Sequence, residues 1–581
     1  MQGNSSEGWT VPTAVLIVVA TMIFLAWSAA RTNFLNCDVE CGEAVLALNA
    51  ASEYAANGAE FGLLENLGSS KSPLIYTHNV NIGSLTFVGL EALGVPGKWK
   101  MLLPLAAFGL GLFYVFLTVR RAGGSNAAAL LTLVLFATTY WTIGAFALHA
   151  LRAWHLLAFL AVAFHTLGLV RVERSIADYA GLLFGALIAF GCGYDFWIIC
   201  GAVSVALVFA AAPSLFDRAT AHKVAMIGAA FAVPFLLRQV HVAYVMGPAY
   251  WLQDFIYSVA IKVPYASSII SIPSLDEIDA YYRSQHVLRP RASPSNSAAQ
   301  IFFTFRHMVT SITVPRWGWL SLLMLAAVVV AAFVKPVRSQ WLGTYSARLI
   351  VPMTVGVALG LAIFAPFSLH VYFKHEFPLV GFLLLLAKGA LVYSLVRWVI
   401  TLQSNLGKAL AAAAVALIVT DHVMVRWNNN AHGPALNYEW TEAYARWPNE
   451  NIALSVYHGQ LMVVAYPYVG ILPQRTSFVE ADEVLAGRLT PQIWVYQPTQ
   501  RFVDFDNPYP RCDWTDWLTS LMGWPVEQQP GKSCIYGQPR LPGAVLQESI
   551  DDVIARAKDY DVVGRSDRGI GYVILRRRAG T

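Results

Sequence analysis

Charge is scarce in this chain of 581 residues: Asp, Glu, Lys and Arg together make up 13% of it, against roughly 25% in a soluble domain. An ordinary water-soluble enzyme is thereby excluded. Forty Lys and Arg stand against thirty-five Asp and Glu, a formal charge of +5, with no clustered basic face of the kind a nucleic-acid partner requires. Nucleic acid is set aside. Cysteine is sparse too, with six residues in the chain, and no spacing among them suits zinc. Internal repeats, low-complexity tracts and heptad arrays are also lacking. The first apolar run, Val11 to Ala30, has neither a basic stretch before it nor a small-residue cleavage site after it, so it is expected to stay as an anchor.

What is there is apolar surface: 56% of residues are hydrophobic and mean hydropathy is +0.51. A transmembrane helix needs about 20 apolar residues to cross about 30 Å of hydrocarbon. Further spans are expected at Met101 to Val119, Ala127 to Ala145, Trp154 to Val170, Tyr179 to Phe190, Phe196 to Ala212 and Val224 to Val245. Four more follow at Trp317 to Val334, Leu349 to Phe367, Phe377 to Val396 and Ala409 to Val423, about eleven in all. Eighteen Trp, twenty-five Tyr and thirty-one Phe suit interfacial belts and stacking platforms.

Lys and Arg in short loops set orientation. Alternate loops hold Arg120 and Arg121, then Arg171 and Arg174, then Arg218 and Lys223, then Lys335, Arg338 and Arg348, then Arg397 and Lys408. Those loops are expected in the cytoplasm with the N-terminus, and the residues after Val423 outside. The expected fold is mostly α: a polytopic membrane helix bundle over 1–426, with long extracytoplasmic loops at 31–100 and 246–316, and a soluble extracytoplasmic α/β domain at 427–581. Apolar runs from Asp38 to Ala51 and from Ile75 to Leu93 predict interfacial helices. In the tail, Ile452 to Tyr457, Ile493 to Tyr496 and Gly571 to Leu575 read as strands, and Glu480 to Leu489 and Glu548 to Asp559 as helices. Cys37 with Cys41, and above all Cys512 with Cys534, lie where oxidation permits disulfides. Cys192 and Cys200 read as part-buried thiols.

Ionisable residues collect on the outer side. Asp38, Glu40 and Glu43 open the first outer loop, where a carboxylate can deprotonate an acceptor hydroxyl or hold a divalent ion; acids complementing a helix N-terminus are the competing explanation. Arg152 and His155 open the fourth span and can grip a phosphate, or Arg152 can simply snorkel to the interface. Asp195 stands in the expected outer turn Gly191 to Asp195, where a plain turn role also fits. Arg238 and His241 lie in the outer half of the seventh span beside Pro234, and an Arg among Phe235, Leu236, Leu237 and Val240 must face a bundle interior or a wet cavity. His370, Lys374, His375 and Glu376 crowd the outer end between the ninth and tenth spans, against the usual inner bias of positive charge; ordinary loop polarity is the alternative to capture of an anionic head group.

This layout resembles the GT-C glycosyltransferases that use polyprenyl-phosphate sugars, in the style of aminoarabinose transferases and protein O-mannosyltransferases. The likeness rests on Asp38-Val39-Glu40-Cys41-Gly42-Glu43-Ala44, on Ser72-Pro73-Leu74-Ile75-Tyr76-Thr77-His78-Asn79 and on Leu151-Arg152-Ala153-Trp154-His155-Leu156-Leu157. It covers roughly Val11 to Val423. The family's adjacent Asp-Glu pair is spread out here, since Glu40 follows Asp38 by two and Glu43 is a second candidate. The resemblance implies Asp38 as catalytic base, His78 lining the site, Arg152 contacting the donor, and Lys374 or His375 holding its phosphate. The expected activity is transfer of a sugar from a polyprenyl-phosphate donor to an acceptor hydroxyl of a glycolipid, polysaccharide or protein, at the outer face of a bacterial inner membrane. A divalent ion, Mg or Mn, held by Asp38 and Glu40 is compatible with the sequence but not demanded by it. The rival reading is a lipid or glycolipid transporter or flippase, which would place polar groups near both faces.

Overall fold

The structure is a computed structural model and describes residues 10–31, 82–95, 102–138, 152–171, 175–212, 217–246, 318–333, 345–364 and 377–432, then 450–455, 476–479, 481–496, 545–546, 549–566 and 572–579 of the tail, with a few isolated positions. The helices in chain order are α1 (Thr10–Arg31), α2 (Ile82–Ala92), α3 (Leu102–Arg121), α4 (Asn126–Thr138), α5 (Arg152–Arg171) and α6 (Ile176–Cys192). They continue with α7 (Tyr194–Ala211), α8 (Arg218–Met246), α9 (Gly318–Phe333), α10 (Val351–Phe364, entered through a π-turn at Ser346–Ile350), α11 (Phe377–Thr401) and α12 (Asn405–His432). Each expected span overlaps one of these helices, although the ends of Ala127 to Ala145 and of Leu349 to Phe367 lie outside the described residues. The short α2 occupies the end of the second expected interfacial run. Among the described residues, five helical stretches, Leu102–Arg121, Ala153–Arg171, Tyr194–Ala211, Arg218–His241 and Leu379–Thr401, are long and apolar enough to cross a membrane. The chain is an integral multi-pass membrane protein.

Local chemistry sets where the helices start and stop. Ser175 caps α6, its hydroxyl oxygen accepting from the Asp178 N–H at 3.2 Å. Asp217 does the same for α8, accepting from the Thr220 N–H at 2.6 Å, and that bond holds its carboxyl below the usual range. One correction concerns the turn before Asp195. Helix α6 runs on to Cys192 and α7 begins at Tyr194, so the expected five-residue turn shrinks to Gly193 alone. Gly193 takes φ +150°, and a Cβ there would lie 2.7 Å from the Asp195 carboxylate. Asp195 therefore belongs to the first turn of α7, where an acid complements the helix dipole.

Helix α5 is the hub, buried along most of its length and packed against α3, α6, α7 and, more lightly, α11. In lipid, helices associate by close packing rather than by hydrophobic exclusion, so small residues matter at their contacts. Gly111 of α3 faces Leu156 and Leu157 of α5, where a Cβ would come within 2.9 Å of the Leu157 backbone nitrogen. Gly356 brings α10 closer still to the backbone of α7 at Val203. Cys192 and Cys200 are buried thiols.

The tail forms a five-stranded sheet in the order β2-β1-β3-β7-β6, where β1 is Ile452–Ser455, β2 Thr476–Phe478, β3 Ile493–Tyr496, β6 Tyr560–Ser566 and β7 Tyr572–Arg577. β2 and β3 run parallel to β1, whereas β7 is antiparallel to β3 and β6. β4 (Gln500–Arg501) and β5 (Val545–Leu546) make a separate pair. Every residue of β1 and β3 is buried, as expected of parallel strands covered on both faces. Ile452, Leu454, Ile493, Val495 and Ile574 line one side. Trp494, Tyr496, Val573 and Leu575 pack on the other against α13 (Ala481–Leu485) and α14 (Ile550–Arg556). The three expected strands are present. Both expected helices are shorter than their apolar runs: Gly487, at φ +70°, follows the end of α13, and the capping box of Ser549 with Asp552 delays the start of α14.

Candidate functional site

Arg238 is 6% exposed, and an arginine held inside a membrane helix is costly unless it serves a partner. Its Nη1 donates to His241 Nδ1 at 3.2 Å, which leaves that ring neutral with its proton on Nε2. Toward the middle of the bundle, on the same stripe of α8, come Phe235 and Phe231, spaced by i, i+4 and i+7. Trp197 of α7 stacks on Phe235, with centroids 6.0 Å apart and planes 12° apart, and leans on Phe231 at 6.2 Å. Phe190 of α6 meets Trp197 and Tyr194 edge-on at 5.6 and 5.2 Å. The outcome is an aromatic wall ending in a cation.

His155 is 2% exposed and its ring sits edge-on to Phe196 at 4.4 Å. The first turn of α7, Tyr194 to Trp197, thus stands between His155 on α5 and the Arg238 stripe on α8. Asp195, half-buried, is in that same turn. Three residues singled out from the sequence, His155, Asp195 and Arg238, therefore occupy one rim of the bundle. Two buried indole N–H groups, those of Trp154 and Trp197, meet no hydrogen-bond acceptor among the described residues. A buried donor left unmade costs about 1 to 3 kcal/mol, so each is a ready donor to a ligand oxygen.

Asp38, Glu40, Glu43, His78, His370, Lys374 and His375 lie outside the described residues, as do Cys37, Cys41, Cys512 and Cys534; Arg152 starts α5, with its side chain outside them as well. The Asp38 and Glu40 pair considered for a divalent ion falls there too. Among the described residues no group of three His, Cys, Asp or Glu is arranged to hold a metal.

The opposite rim holds a cluster that the sequence reading passed over. Arg121, the last residue of α3, donates from Nη1 and Nη2 to the two carboxylate oxygens of Asp178 on α6, both at 2.7 Å. His165 Nδ1 of α5 lies 3.1 Å from Asp178 Oδ1, and its Nε2 is 3.0 Å from the Tyr114 hydroxyl of α3. Asp178 accepts, so Nδ1 carries the proton and Nε2 accepts from Tyr114. The signal was an acid one residue ahead of an expected span, among basic loops, with an arginine closing a neighbouring span. Lys388, midway along α11 and 2% exposed, was missed as well; a lone lysine in an apolar run was the available clue.

The chain is similar in structure to two solved membrane glycosyltransferases. One is the oligosaccharyltransferase of Archaeoglobus fulgidus tethered to an acceptor peptide, with 11% identity and TM-score 0.46 over 85% of this chain and 69% of that one. The other is ArnT of Cupriavidus metallidurans bound to undecaprenyl phosphate, with 16% identity and TM-score 0.42 over 99% of both chains. No family model and no curated protein matches the chain.

Proposed function

We propose that this chain is a GT-C membrane glycosyltransferase that moves a sugar from a polyprenyl-phosphate donor to an acceptor hydroxyl at the extracytoplasmic face. The observation that carries the reading is Arg238: a buried cation at the end of the Phe231, Phe235 and Trp197 wall, on the rim away from Arg121, Arg171 and Arg218. A phosphate on an apolar chain has the matching chemistry, with the chain along the wall and the anion at the guanidinium. The eleven-span count, the cytoplasmic N-terminus and the outer α/β domain belong to the same reading, as does placement in a bacterial inner membrane.

In this mechanism the acceptor hydroxyl attacks the anomeric carbon of the sugar with inversion. Its oxygen bonds to that carbon as the bond to the phosphate oxygen breaks, and the electron pair leaves on the polyprenyl phosphate. Asp38 takes the hydroxyl proton, with Glu40 and Glu43 beside it. Arg238, Arg152 and Lys374 balance the charge that develops on the leaving phosphate, the kind of contribution that is usually largest in such catalysis. His155, Asp195, His78, His370 and His375 complete the lining, and the indole N–H of Trp197 supplies a donor to a phosphate or sugar oxygen. A divalent ion at Asp38 and Glu40 would add a further positive charge at the phosphate.

The test is transfer in detergent from a panel of synthetic polyprenyl-phosphate sugars to hydroxyl acceptors. Turnover of at least one donor, abolished by Asp38→Ala and strongly reduced by Arg238→Ala, is expected. Failure of every donor, with vesicle-reconstituted protein moving a labelled polyprenyl lipid between leaflets, would replace the reading with the transporter.

A further inference from the structure

Four ionisable or hydroxyl-bearing side chains from three helices meet at the rim opposite the candidate site, and none has a part in the proposed chemistry. Arg121 and Asp178 tie α3 to α6 through two parallel bonds. His165 on α5 is held between them, one ring nitrogen toward Asp178 and the other toward Tyr114. Phe164 packs the group from the side: the Arg121 guanidinium lies 4.2 Å over its ring, and Tyr114 and His165 meet it edge-on at 5.5 and 4.9 Å. Space is reserved for the quartet, since a Cβ at Gly168 would strike Arg121 and Asp178, and one at Gly181 would strike the His165 ring.

A buried ion pair is weak support for stability, because desolvation offsets much of the attraction; its best-attested use is to fix register. Register is a real problem for α5. Its surface is Leu, Ala, Phe and Val over most of its turns, so besides close glycine contacts and the Thr166 to Ser204 hydroxyl bond with α7 at 3.1 Å, few directional contacts hold its rotation. The His165 bonds are directional. A shift of one residue turns the helix by about 100° and takes His165 away from both partners.

We propose that Tyr114, His165, Asp178 and Arg121 form a register lock that fixes the height and rotation of α5 against α3 and α6, and thereby places His155 at the opposite rim. His155 is ten residues from His165, roughly 15 Å along the helix. With the lock closed its ring meets Phe196 of α7. His165 is a positioning residue in this scheme. Its importance for sugar transfer rests on the proposed function, but the lock itself does not.

Cross-linking of introduced cysteine pairs with a short bifunctional thiol reagent, in the full-length protein in nanodiscs, tests it without any substrate. All six native cysteines are changed to Ser, and cysteine pairs are introduced by His155→Cys with Phe196→Cys, reporting α5 against α7, and by Thr138→Cys with His422→Cys, reporting the α4 and α12 contact at 3.0 Å, in which α5 has no part. His165→Ala is expected to lower the first cross-link at least threefold and leave the second unchanged. His165→Gln, whose amide can donate to Asp178 and accept from Tyr114, is expected to restore it. If His165→Ala does not fold, Tyr114→Phe takes its place with a smaller loss at the first pair alone. An unchanged first pair, or equal losses at both, overturns the lock, the latter reducing the quartet to general stability. Absence of glycosyl transfer by the unmodified protein would sink the proposed function and leave this result standing.

Discussion

Arg121 and Asp178 face each other fork to fork, two bonds of 2.7 Å joining the last residue of α3 to the first turn of α6. Their side chains are 21% and 8% exposed, so the pair is largely enclosed by the packed helices. Removing one partner strands the other. Arg121→Met and Asp178→Leu are each expected to cost about 3 kcal/mol, whereas the two together should cost less than the singles added. Thermal unfolding in detergent, arranged as a double-mutant cycle, measures the difference; strict additivity would show that the pair is not coupled.

Gly181 leaves no room for a methyl group beside the His165 ring. Gly181→Ala should destabilise the protein by about 1 to 3 kcal/mol, as overpacking does. Gly228, with open space where its Cβ would be, provides the control: Gly228→Ala in the body of α8 should be neutral or mildly stabilising by the same unfolding measurement.

Arg238 should matter to turnover far more than to folding. Arg238→Ala is expected to lower kcat roughly 100-fold, the usual loss when one stabilising donor is removed from a developing anion. Arg238→Lys should recover only part of it, because an ammonium lacks the planar fork. Equal activity of the three proteins would remove Arg238 from the site.

Trp197 allows its ring and its N–H to be separated. Trp197→Phe keeps an aromatic surface against Phe235 and deletes the unpartnered donor, so stability should hold or improve slightly. If the N–H serves the lipid-linked donor, KM for that donor should rise about tenfold, in line with 1 to 2 kcal/mol for one hydrogen bond. An unchanged KM would assign Trp197 to packing alone.

In the tail, burial raises the Tyr496 hydroxyl to about 12, with the nearby Asp482 and Asp552 carboxylates adding to the effect; burial raises Tyr560 as well. A folded-state value above the unfolded one means that the folded domain holds the proton more tightly. The associated stability is complete below the unfolded value near 10 and disappears as pH rises toward 12. Alkaline unfolding of the tail is therefore expected in that window, and Tyr496→Phe should flatten it. The pH dependence of the melting temperature of both proteins checks this, and identical profiles would exclude Tyr496.

The sequence made the bundle legible because each span is a long apolar run and lipid permits only helices there. Its strands in the tail could be read where they are buried on both faces, as in Ile452 to Ser455 and Ile493 to Tyr496. Strand β6, at the sheet edge with an exposed Val562, lacked that pattern. Arg238 could be singled out because a charge among Phe and Leu is conspicuous. Asp178 could not, since next to basic loops an acid looks like ordinary interfacial polarity until Arg121 is seen opposite it. The aromatic wall was hidden for a similar reason: Phe190, Trp197 and Phe235 belong to three helices, and no spacing within one run joins them.

Sequence by itself therefore determined which segments form the apolar helices and which the buried strands of the tail, because hydropathy acts within a few residues of the chain. Only the tertiary structure decided that Gly193 alone separates α6 from α7, that Trp197 lies flat on Phe235, and that His165 bridges Tyr114 and Asp178. Those relationships depend on the angle and height at which separate helices pack, and apolar helix surfaces leave both open until small residues and directional polar contacts select one arrangement.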